Sequence, residues 1–346
     1  MLKFSYCPYR LLFKRPFGTA HGLRTGTDSI FVRVEENGFT GYGEATLPPY
    51  LTETPAAVVE RLQAFVQEKH RTAEEALIAL QARAWQGSPG CRAALHMALI
   101  DLISRSQQRT VAKSLELTVR NNYSSLMTIG IMPATEIEDA LRALPASGVL
   151  KVKVDGSGSL LSIEKIKSLD NRKLLIDSNQ GLRSVDEALE LIRATGEERI
   201  LGFEQPFDKD AIELHAELGR RTAATVYADE SIQDLAELEA RHEAFGGINL
   251  KLMKCGGVDL ARTMAERSLE LGKQVMLGSM SESSLGCTAM AHLIPYAAVV
   301  DLDGPWLIQN DPFVGITMEN GLIRMPGGPG WGTQLRADLG FASISA

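Results

Sequence analysis

The sequence predicts an α/β protein in which a parallel β/α barrel follows a separate amino-terminal α+β domain. Two observations predict the barrel. Short apolar runs recur at near-constant spacing from residue 126 onward, and amphipathic helical segments separate most of them. A third observation argues against an open doubly wound sheet, because no glycine-rich phosphate-binding loop follows the first run.

The first part of the chain has a different pattern. Residues 29–45 alternate apolar and polar side chains around a turn at 36–38, which is typical of a β-hairpin. Helical periodicity follows over 54–66 and 73–85, and a more apolar helix at 91–106 is expected to be buried. Strands followed by helices, without alternation between them, predict an α+β domain.

We expect this α+β domain to occupy residues 1–120 and the barrel to occupy residues 121–320. The final segment, 321–346, is rich in turns and is expected to pack back on the first domain. Eight apolar runs are predicted to be the barrel strands, at 126–131, 149–154, 173–177, 200–204, 225–229, 247–251, 274–278 and 299–303.

Composition excludes several classes of protein. The chain of 346 residues carries a net charge of −7, which argues against nucleic acid as the principal partner. No run approaches the roughly 18 apolar residues that cross a membrane, and the amino terminus does not resemble a secretory signal. The four cysteines are far apart, so we expect neither a zinc site nor disulfides, and we predict a cytoplasmic protein.

Ionisable residues stand at the ends of the predicted strands, where buried parallel strands are normally apolar. For any one of them, a helix cap or a loop charge is an adequate explanation. Their recurrence at six strands predicts a single site, because barrel chemistry takes place at the carboxyl ends of the strands. These residues are Lys151, Lys153, Asp177, Glu204, Asp229, Lys251, Asp301 and Asp303.

Three of these residues, Asp177, Glu204 and Asp229, end consecutive strands. Three neighbouring carboxylates repel one another unless a cation neutralises them. Oxygen ligands without histidine or cysteine favour Mg²⁺, with Mn²⁺ as a substitute, over zinc. Asn179, two residues after Asp177, is expected to orient the metal ligands from behind.

The lysines flank the acidic residues on both sides. Lys151 and Lys153 point to the same face of their strand, and Lys251 ends a strand beyond the three acidic ones. Two lysines across a metal suit the removal of a proton from one face of a carbon and its delivery to the other. The alternative is that the lysines only balance the carboxylates, which does not explain their placement on opposite sides.

With these residues the sequence resembles the enolase superfamily, in its muconate-lactonizing-enzyme-like branch. The resemblance covers almost the whole chain. It implies a capping domain, a modified (β/α)7β barrel, one Mg²⁺ per site and a lysine base that generates an enediolate. The matching motifs are KVK (151–153), DSN (177–179), EQP (204–206), DES (229–231) and NLKLMKCGG (249–257). Many relatives have a second glutamate where this chain has Gln205.

Asp301-Leu-Asp303 further resembles the D-x-D motif of dipeptide epimerases, and so does LGSMSESSLG (277–286). The resemblance implies that the acidic pair binds a dipeptide's ammonium group. It also implies that Lys153 and Lys251 carry out a 1,1-proton transfer at the carboxy-terminal residue, with Lys151 as an electrostatic helper. A role in turnover of cell-wall peptides would follow. Alternatively, the acidic pair caps a loop.

Two loops of the first domain, 19–28 and 47–55, are expected to close over the barrel mouth. In relatives that prefer an acidic carboxy-terminal residue, an arginine in the first loop meets its side chain, which makes Arg24 a specificity candidate. An exposed arginine can also be simply solvated. His21 and Tyr50 are weaker candidates.

Three alternatives follow from the same residues. The leading hypothesis is a Mg²⁺-dependent dipeptide epimerase, an isomerase. A muconate-type cycloisomerase or o-succinylbenzoate synthase would use the same scaffold, but its substrate has no ammonium group. A non-catalytic metal-binding or scaffold protein would not need the lysines. The resemblance also implies a homo-oligomer.

Overall fold

A computed structural model describes residues 2–20, 22–83, 85, 87–118, 123–145 and 148–345. The chain begins with an antiparallel sheet of three long strands, β1 (Lys3–Thr19), β2 (Gly22–Glu36) and β3 (Phe39–Leu47). Glu36 pairs with Phe39 across a two-residue turn in which both residues have positive φ, 51° and 82°. Such a turn matches the twist of a hairpin, and the pairing confirms the predicted one.

The helices α1 (Pro55–Val66), α2 (Ala73–Ala82), α3 (Pro89–Ser106) and α4 (Val111–Ser114) follow. The side chains of Thr54 and Thr72 accept hydrogen bonds from the first turns of α1 and α2, which explains where these helices begin. The three predicted helices are confirmed. The second ends at Ala82 instead of residue 85, because Arg83 adopts an extended conformation.

Strands and helices then alternate along the chain, as predicted. The elements are β4 (Met127–Ile129), α5 (Ile137–Ala143), β5 (Val149–Lys153), α6 (Leu160–Leu169), β6 (Lys173–Asp177), α7 (Val185–Thr195), β7 (Ile200–Glu204), α8 (Ile212–Arg221), β8 (Thr225–Ala228), α9 (Leu235–Arg241), β9 (Gly247–Leu250), α10 (Leu252–Cys255), α11 (Val258–Glu270), β10 (Gln274–Leu277), α12 (Ser284–Ala291) and β11 (Val299–Val300). Each of the eight strands lies within one predicted run.

The eight strands form one parallel sheet, in chain order from β4 to β11. The backbone N–H of Leu126 donates to the carbonyl of Val300 at 2.7 Å, which joins the first strand to the last. A separate apolar cluster, which includes Leu175, Tyr227 and Met276, packs inside the sheet. The α/β class with a modified barrel and a capping domain is therefore confirmed.

The last part of the chain contains α13 (Gly304–Leu307) and five short strands, β12 (Phe313–Val314), β13 (Thr317–Glu319), β14 (Leu322–Arg324), β15 (Gln334–Leu335) and β16 (Ala342–Ser343). β16 pairs with β1, and the indole N–H of Trp331 donates to the carbonyl of Met97 in α3 at 3.0 Å. In the part of the chain that the structure describes, no helix combines the length and apolar character needed to cross a membrane.

Arg92 and two glycines explain how α3 is packed. The guanidinium of Arg92 in α3 pairs with the carboxylate of Asp259 in α11 at 2.7 and 2.8 Å. On its other side α3 lies directly on β3, because Gly41 and Gly43 have no side chains in the way. A Cβ at residue 43 would lie 1.9 Å from the carbonyl oxygen of Ala94. The helix is thus packed between the amino-terminal sheet and the barrel.

Replacing Gly43 with alanine should therefore destabilise the protein, because the new methyl group meets backbone and not a movable side chain. We expect a loss of about 2–3 kcal/mol in the free energy of unfolding, measured by urea denaturation. Gly219→Ala is the matched control, since Gly219 lies in α8 with open space around its Cβ position. That substitution should stabilise the protein by about 0.5–1 kcal/mol. Equal effects of the two substitutions would contradict the close packing.

Candidate active site

The ionisable residues identified in the sequence meet at the carboxyl ends of the strands. Lys153, Asp177 and Glu204 end β5, β6 and β7 and pair with one another in register, so they lie at one level. Asp229, Lys251 and Asp301 directly follow β8, β9 and β11. Three strands separate β5 from β9, so Lys153 and Lys251 lie on opposite sides of the mouth.

Lys151 lies at the centre of the acidic residues. Its buried Nζ is 3.0 Å from Oδ2 of Asp177, 2.8 Å from Oε2 of Glu204 and 2.8 Å from Oδ2 of Asp301. One ammonium group therefore contacts carboxylates from three different strands.

Lys153 and Lys251 each contact one carboxylate closely. The Nζ of Lys153 donates to Oδ2 of Asp177 at 2.7 Å and to Oδ1 of Asn179 at 2.6 Å. The Nζ of Lys251 donates to Oδ2 of Asp229 at 2.6 Å. Asn179 also donates its backbone N–H to Oδ1 of Asp177 at 3.0 Å, so it contacts both a lysine and a carboxylate of the site.

Lys254 and Asn249 donate hydrogen bonds to the carboxylates of Asp229 and Glu204. The buried Nζ of Lys254 donates to Oδ1 of Asp229 at 2.6 Å and to the backbone carbonyls of Asp229 and Asn249 at 2.7 and 2.8 Å. The side-chain amide of Asn249 donates to Oε1 of Glu204 at 2.7 Å. These contacts fix the orientations of Asp229 and Glu204.

Burial and charge shift the pKa values of the site residues in opposite directions. Burial alone would raise the pKa of Asp177 and Asp229, but the neighbouring lysine ammonium groups bring both pKa values well below the usual range. Burial and the charge of Asp177 raise the pKa of Glu204 to about 7. Burial would lower the pKa of Lys251, but Asp229 and Glu204 raise it above its ordinary value. At Glu204, burial and the charge of Asp177 thus outweigh the nearby ammonium group of Lys151.

Asp301 and Asp303 line the same cavity as the three lysines. Both are buried, and Oδ2 of Asp303 accepts the backbone N–H of Thr128 at 2.9 Å. Oδ1 of Asp301 has no hydrogen-bond partner among the described residues. Burial and the charge of Asp301 raise the pKa of Asp303 to about 7. A cationic ligand group would relieve both effects.

Arg24 also lines this cavity. Its guanidinium carbon lies 5.4 Å from the ring centre of Phe13 and 5.6 Å from that of Tyr50. Its Nε and Nη2 are buried and have no hydrogen-bond partner among the described residues. Burial lowers its pKa. Arg24 lies in β2 and not in the loop expected over 19–28, because it pairs with Phe17 of β1, and from this strand it presents a cation with free donors to the site. His21 lies outside the described residues.

Gln205 connects the ends of β7 and β8. It is fully buried, and its φ of 36° lies in the left-handed region. Its Oε1 accepts the backbone N–H groups of Asp229 and Ser231 at 2.9 and 3.1 Å. Its Nε2 donates to Oγ of Ser231 at 2.7 Å and to the carbonyl of Phe207 at 3.1 Å. A carboxylate could not make both kinds of contact, which explains the amide at this position.

The sequence matches two family descriptions that together span most of the chain. Residues 8–115 match the mandelate racemase/muconate lactonizing enzyme N-terminal domain, and residues 136–339 match the enolase C-terminal domain-like family. The chain belongs to the mandelate racemase/muconate lactonizing enzyme family.

Several relatives within this family are dipeptide epimerases. The chain is 34% identical to the L-Ala-D/L-Glu epimerase of Bacteroides thetaiotaomicron, over 96% of this chain and 87% of that protein. A substrate-liganded structure of the L-Ala-D/L-Glu epimerase of Bacillus subtilis superimposes with a TM-score of 0.85, at 27% identity over 96% of this chain and 98% of that one. The dipeptide epimerase of Methylococcus capsulatus, solved with Mg and L-Arg-D-Lys, gives a TM-score of 0.85 at 28% identity, over 96% and 99% of the two chains.

The acidic residues fit a hard divalent cation by their chemistry. All three donors are buried carboxylates. Oε2 of Glu204 forms an ion pair with Lys151 at 2.8 Å but accepts no hydrogen bond of good geometry from the described residues. As the side chains stand, no three acidic, histidine or cysteine side chains within the described ranges converge closely enough to hold an ion. The ammonium of Lys151 lies between Asp177 and Glu204 in this arrangement.

Sequence reasoning missed several residues of the site. Glu230 is one, because its Oε2 is buried without a hydrogen-bond partner among the described residues, and burial with the charge of Asp229 raises its pKa to about 8. The segment that follows β10 was recognised only as a motif, without a role for its side chains, and Ser279, Met280 and Ser281 line the cavity. The DES motif contained the signal for Glu230, but a charged residue after a strand is also common in loops.

The contacts of Gln205 predict that its amide oxygen is needed for stability. Gln205→Leu leaves the buried N–H groups of Asp229 and Ser231 without an acceptor, at about 1–3 kcal/mol for each group. We therefore expect a loss of roughly 2–6 kcal/mol in the free energy of unfolding, measured by urea denaturation. Ser231→Ala, which leaves both N–H groups bonded to Gln205, should cost about 1 kcal/mol. If Gln205→Leu loses no more free energy of unfolding than Ser231→Ala, the amide oxygen of Gln205 is not needed to join the ends of β7 and β8.

Proposed function

We propose that this protein is a Mg²⁺-dependent dipeptide epimerase that inverts the α-carbon of the carboxy-terminal residue by 1,1-proton transfer. The observation that carries the proposal is the placement of two lysines, Lys153 and Lys251, on opposite sides of a mouth that also contains an acidic pair. The epimerase relatives and the dipeptide complexes named above support it.

In this proposal Asp177, Glu204 and Asp229 hold Mg²⁺, for which Mn²⁺ can substitute. When bound, the ion supplies positive charge that offsets the carboxylates and stabilises negative charge developing on the substrate carboxylate. The raised pKa of Glu204 supports this assignment, because it indicates a buried carboxylate that the ammonium group of Lys151, 2.8 Å from its Oε2, does not fully compensate. Asn179 orients Asp177 through its backbone N–H.

The two lysines act on the two faces of the α-carbon. One lysine is uncharged and removes the proton; for Lys251 this requires that a bound cation offset Asp229 and Glu204, which raise its pKa. The substrate is left as an enediolate, and the other lysine, protonated, delivers a proton to the opposite face. The number of protons on the protein is unchanged over one turnover, and the roles of the lysines reverse for the other stereoisomer. Lys151, which contacts three carboxylates, contributes positive charge and transfers no proton.

Asp301 and Asp303 bind the ammonium group of the dipeptide, which adds positive charge to that of Lys151 and gives Oδ1 of Asp301 the donor that it lacks among the described residues. Arg24 faces the side chain of the carboxy-terminal residue, and its free Nε and Nη2 donors favour an acidic side chain there. A homo-oligomeric state, a cytoplasmic location and a role in cell-wall peptide turnover stay predictions from the sequence.

The lysine assignment can be tested by incubating L,L and L,D dipeptides with the protein and Mg²⁺ in D₂O. Mass spectrometry and chiral analysis should show one deuteron at the carboxy-terminal α-carbon with inverted configuration. Lys153→Ala and Lys251→Ala should each lower the rate of inversion by about 10²–10⁴-fold. Each variant should still exchange the α-proton of the carboxy-terminal residue for a deuteron, but only in dipeptides in which this residue has one of its two configurations.

Lys173→Ala is the matched control for the lysine variants, because this exposed lysine begins β6 at the opposite end of the barrel. It should be as active as the parent protein. Removal of the metal with a chelator should abolish exchange in all of them. Full inversion by either site variant, or no exchange with any dipeptide when metal is bound, would contradict the proposal.

The acidic pair is tested with Asp301→Asn, Asp303→Asn and N-acetylated dipeptides. Loss of a hydrogen bond to a charged group costs about 1.5–3 kcal/mol, so kcat/KM for free dipeptides should fall by about 10–150-fold in each variant. The parent protein should turn over N-acetylated dipeptides equally poorly, and the Asn variants should discriminate less between the free and acetylated forms. Unchanged discrimination, with lactone formation from muconate-type substrates, would favour the cycloisomerase.

A further inference from the structure

Glu44 lies in β3 of the amino-terminal domain and is fully buried. It belongs to the segment that the sequence identifies as a hairpin, but a hairpin needs no buried carboxylate. It does not touch the lysines or the acidic residues of the mouth. A carboxylate this deeply buried is stable only where several donors satisfy it.

The donors that satisfy Glu44 come mainly from the barrel. Its Oε1 accepts the backbone N–H of Ser283 at 2.9 Å and the hydroxyl of Thr46 at 2.7 Å. Its Oε2 accepts the hydroxyl of Ser283 at 2.5 Å and the backbone N–H of Gly286 at 3.0 Å. Three of these four bonds go to the beginning of α12, so this carboxylate connects the two parts of the chain.

The segment immediately before these donors lines the candidate active site. We call residues 278–283 the β10–α12 loop. Its residues Ser279, Met280 and Ser281 form part of the cavity wall that also contains Lys153 and Lys251. The carboxylate of Glu44 therefore holds the end of a loop whose middle contacts the reaction space.

Close packing leaves this junction little freedom. A Cβ at Gly286 would lie 3.1 Å from Oε2 of Glu44 and 2.8 Å from Cβ of Glu282. Glu282 is itself buried and accepts the backbone N–H of Met280 within the loop. A second contact from the amino-terminal domain reaches the same loop, because the hydroxyl of Tyr50 lies 3.4 Å from Sδ of Met280.

We propose that Glu44 is a positioning residue of the active site: by bonding Ser283 and Gly286 it sets the position of the β10–α12 loop relative to the lysines. The inference rests on the proposed function in that this loop forms a wall of the dipeptide site. Glu44 is not among the residues that line the cavity, so its effect is on the geometry of binding.

Asp311 provides a matched control for Glu44. Its Oδ2 accepts the backbone N–H and the hydroxyl of Ser284 at 2.9 and 2.7 Å, so it binds the same end of α12 through the same pair of groups. It lies in the carboxy-terminal part of the chain and makes no contact with residues 278–283 that the structure records. A defect that reflects only the helix end should appear in both variants.

The experiment compares Glu44→Gln and Asp311→Asn with the parent protein in two measurements. Hydrogen–deuterium exchange of the intact protein should show about tenfold faster exchange in residues 278–283 of Glu44→Gln only, the change expected from the loss of one hydrogen bond. In dipeptide epimerisation, Glu44→Gln should raise KM about tenfold while kcat changes much less. Asp311→Asn should leave both constants unchanged.

The two measurements separate this inference from the proposed function. If the parent protein turns over no dipeptide, the proposed function fails, and the exchange of residues 278–283 still decides whether Glu44 positions the loop. Unchanged exchange of the loop in Glu44→Gln, or equal changes in both variants, would overturn the inference. Should Glu44→Gln not fold, Ser283→Ala removes the 2.5 Å bond together with the bond that its hydroxyl accepts from the backbone N–H of Leu285 at 3.1 Å, and it should show the same loop-specific increase in smaller degree.

Discussion

The need to balance buried charge governs the rest of this structure. Carboxylates from neighbouring strands cannot share the dry mouth of a barrel unless cations lie among them, because each unpaired charge would cost several kcal/mol. The lysine ammonium groups supply part of that balance, with Lys151 in contact with three carboxylates. The balance is incomplete at Glu204, whose pKa is raised although the ammonium group of Lys151 lies 2.8 Å from its Oε2. That deficit is the physical basis for the proposed metal.

Polar side chains that do not line the cavity hold this arrangement in place. Gln205 and Asn249 use their amides to fix Asp229 and Glu204, and Lys254 adds a buried cation against Asp229. The amino-terminal domain contributes in the same way, since the carboxylate of Glu44 accepts hydrogen bonds from Ser283 and Gly286 at the beginning of α12. The chemistry of the site therefore depends on residues that a reactant would never touch.

Much of the fold and of the candidate site could be predicted from the pattern of residues along the chain. Buried parallel strands must be apolar, so a charged residue at the end of such a run stands out, as Asp177 and Glu204 do. Gln205 stood out only as a departure from the second glutamate of many relatives, and its role could not be recognised, because an uncharged amide after a strand has no distinctive pattern. The role of Glu44 was also hidden, since its partners in the barrel, Ser283 and Gly286, lie about 240 residues further along the chain.

The sequence by itself determined the order of the elements, the class of fold, the family and the set of ionisable residues at the barrel mouth. These features follow from local periodicity and from short motifs, which depend on neighbouring residues. Only the tertiary structure decided which carboxylate each lysine contacts, which oxygens lack a partner and how Arg24 lies against Phe13 and Tyr50. These features depend on distances between segments remote in sequence, and packing alone sets those distances.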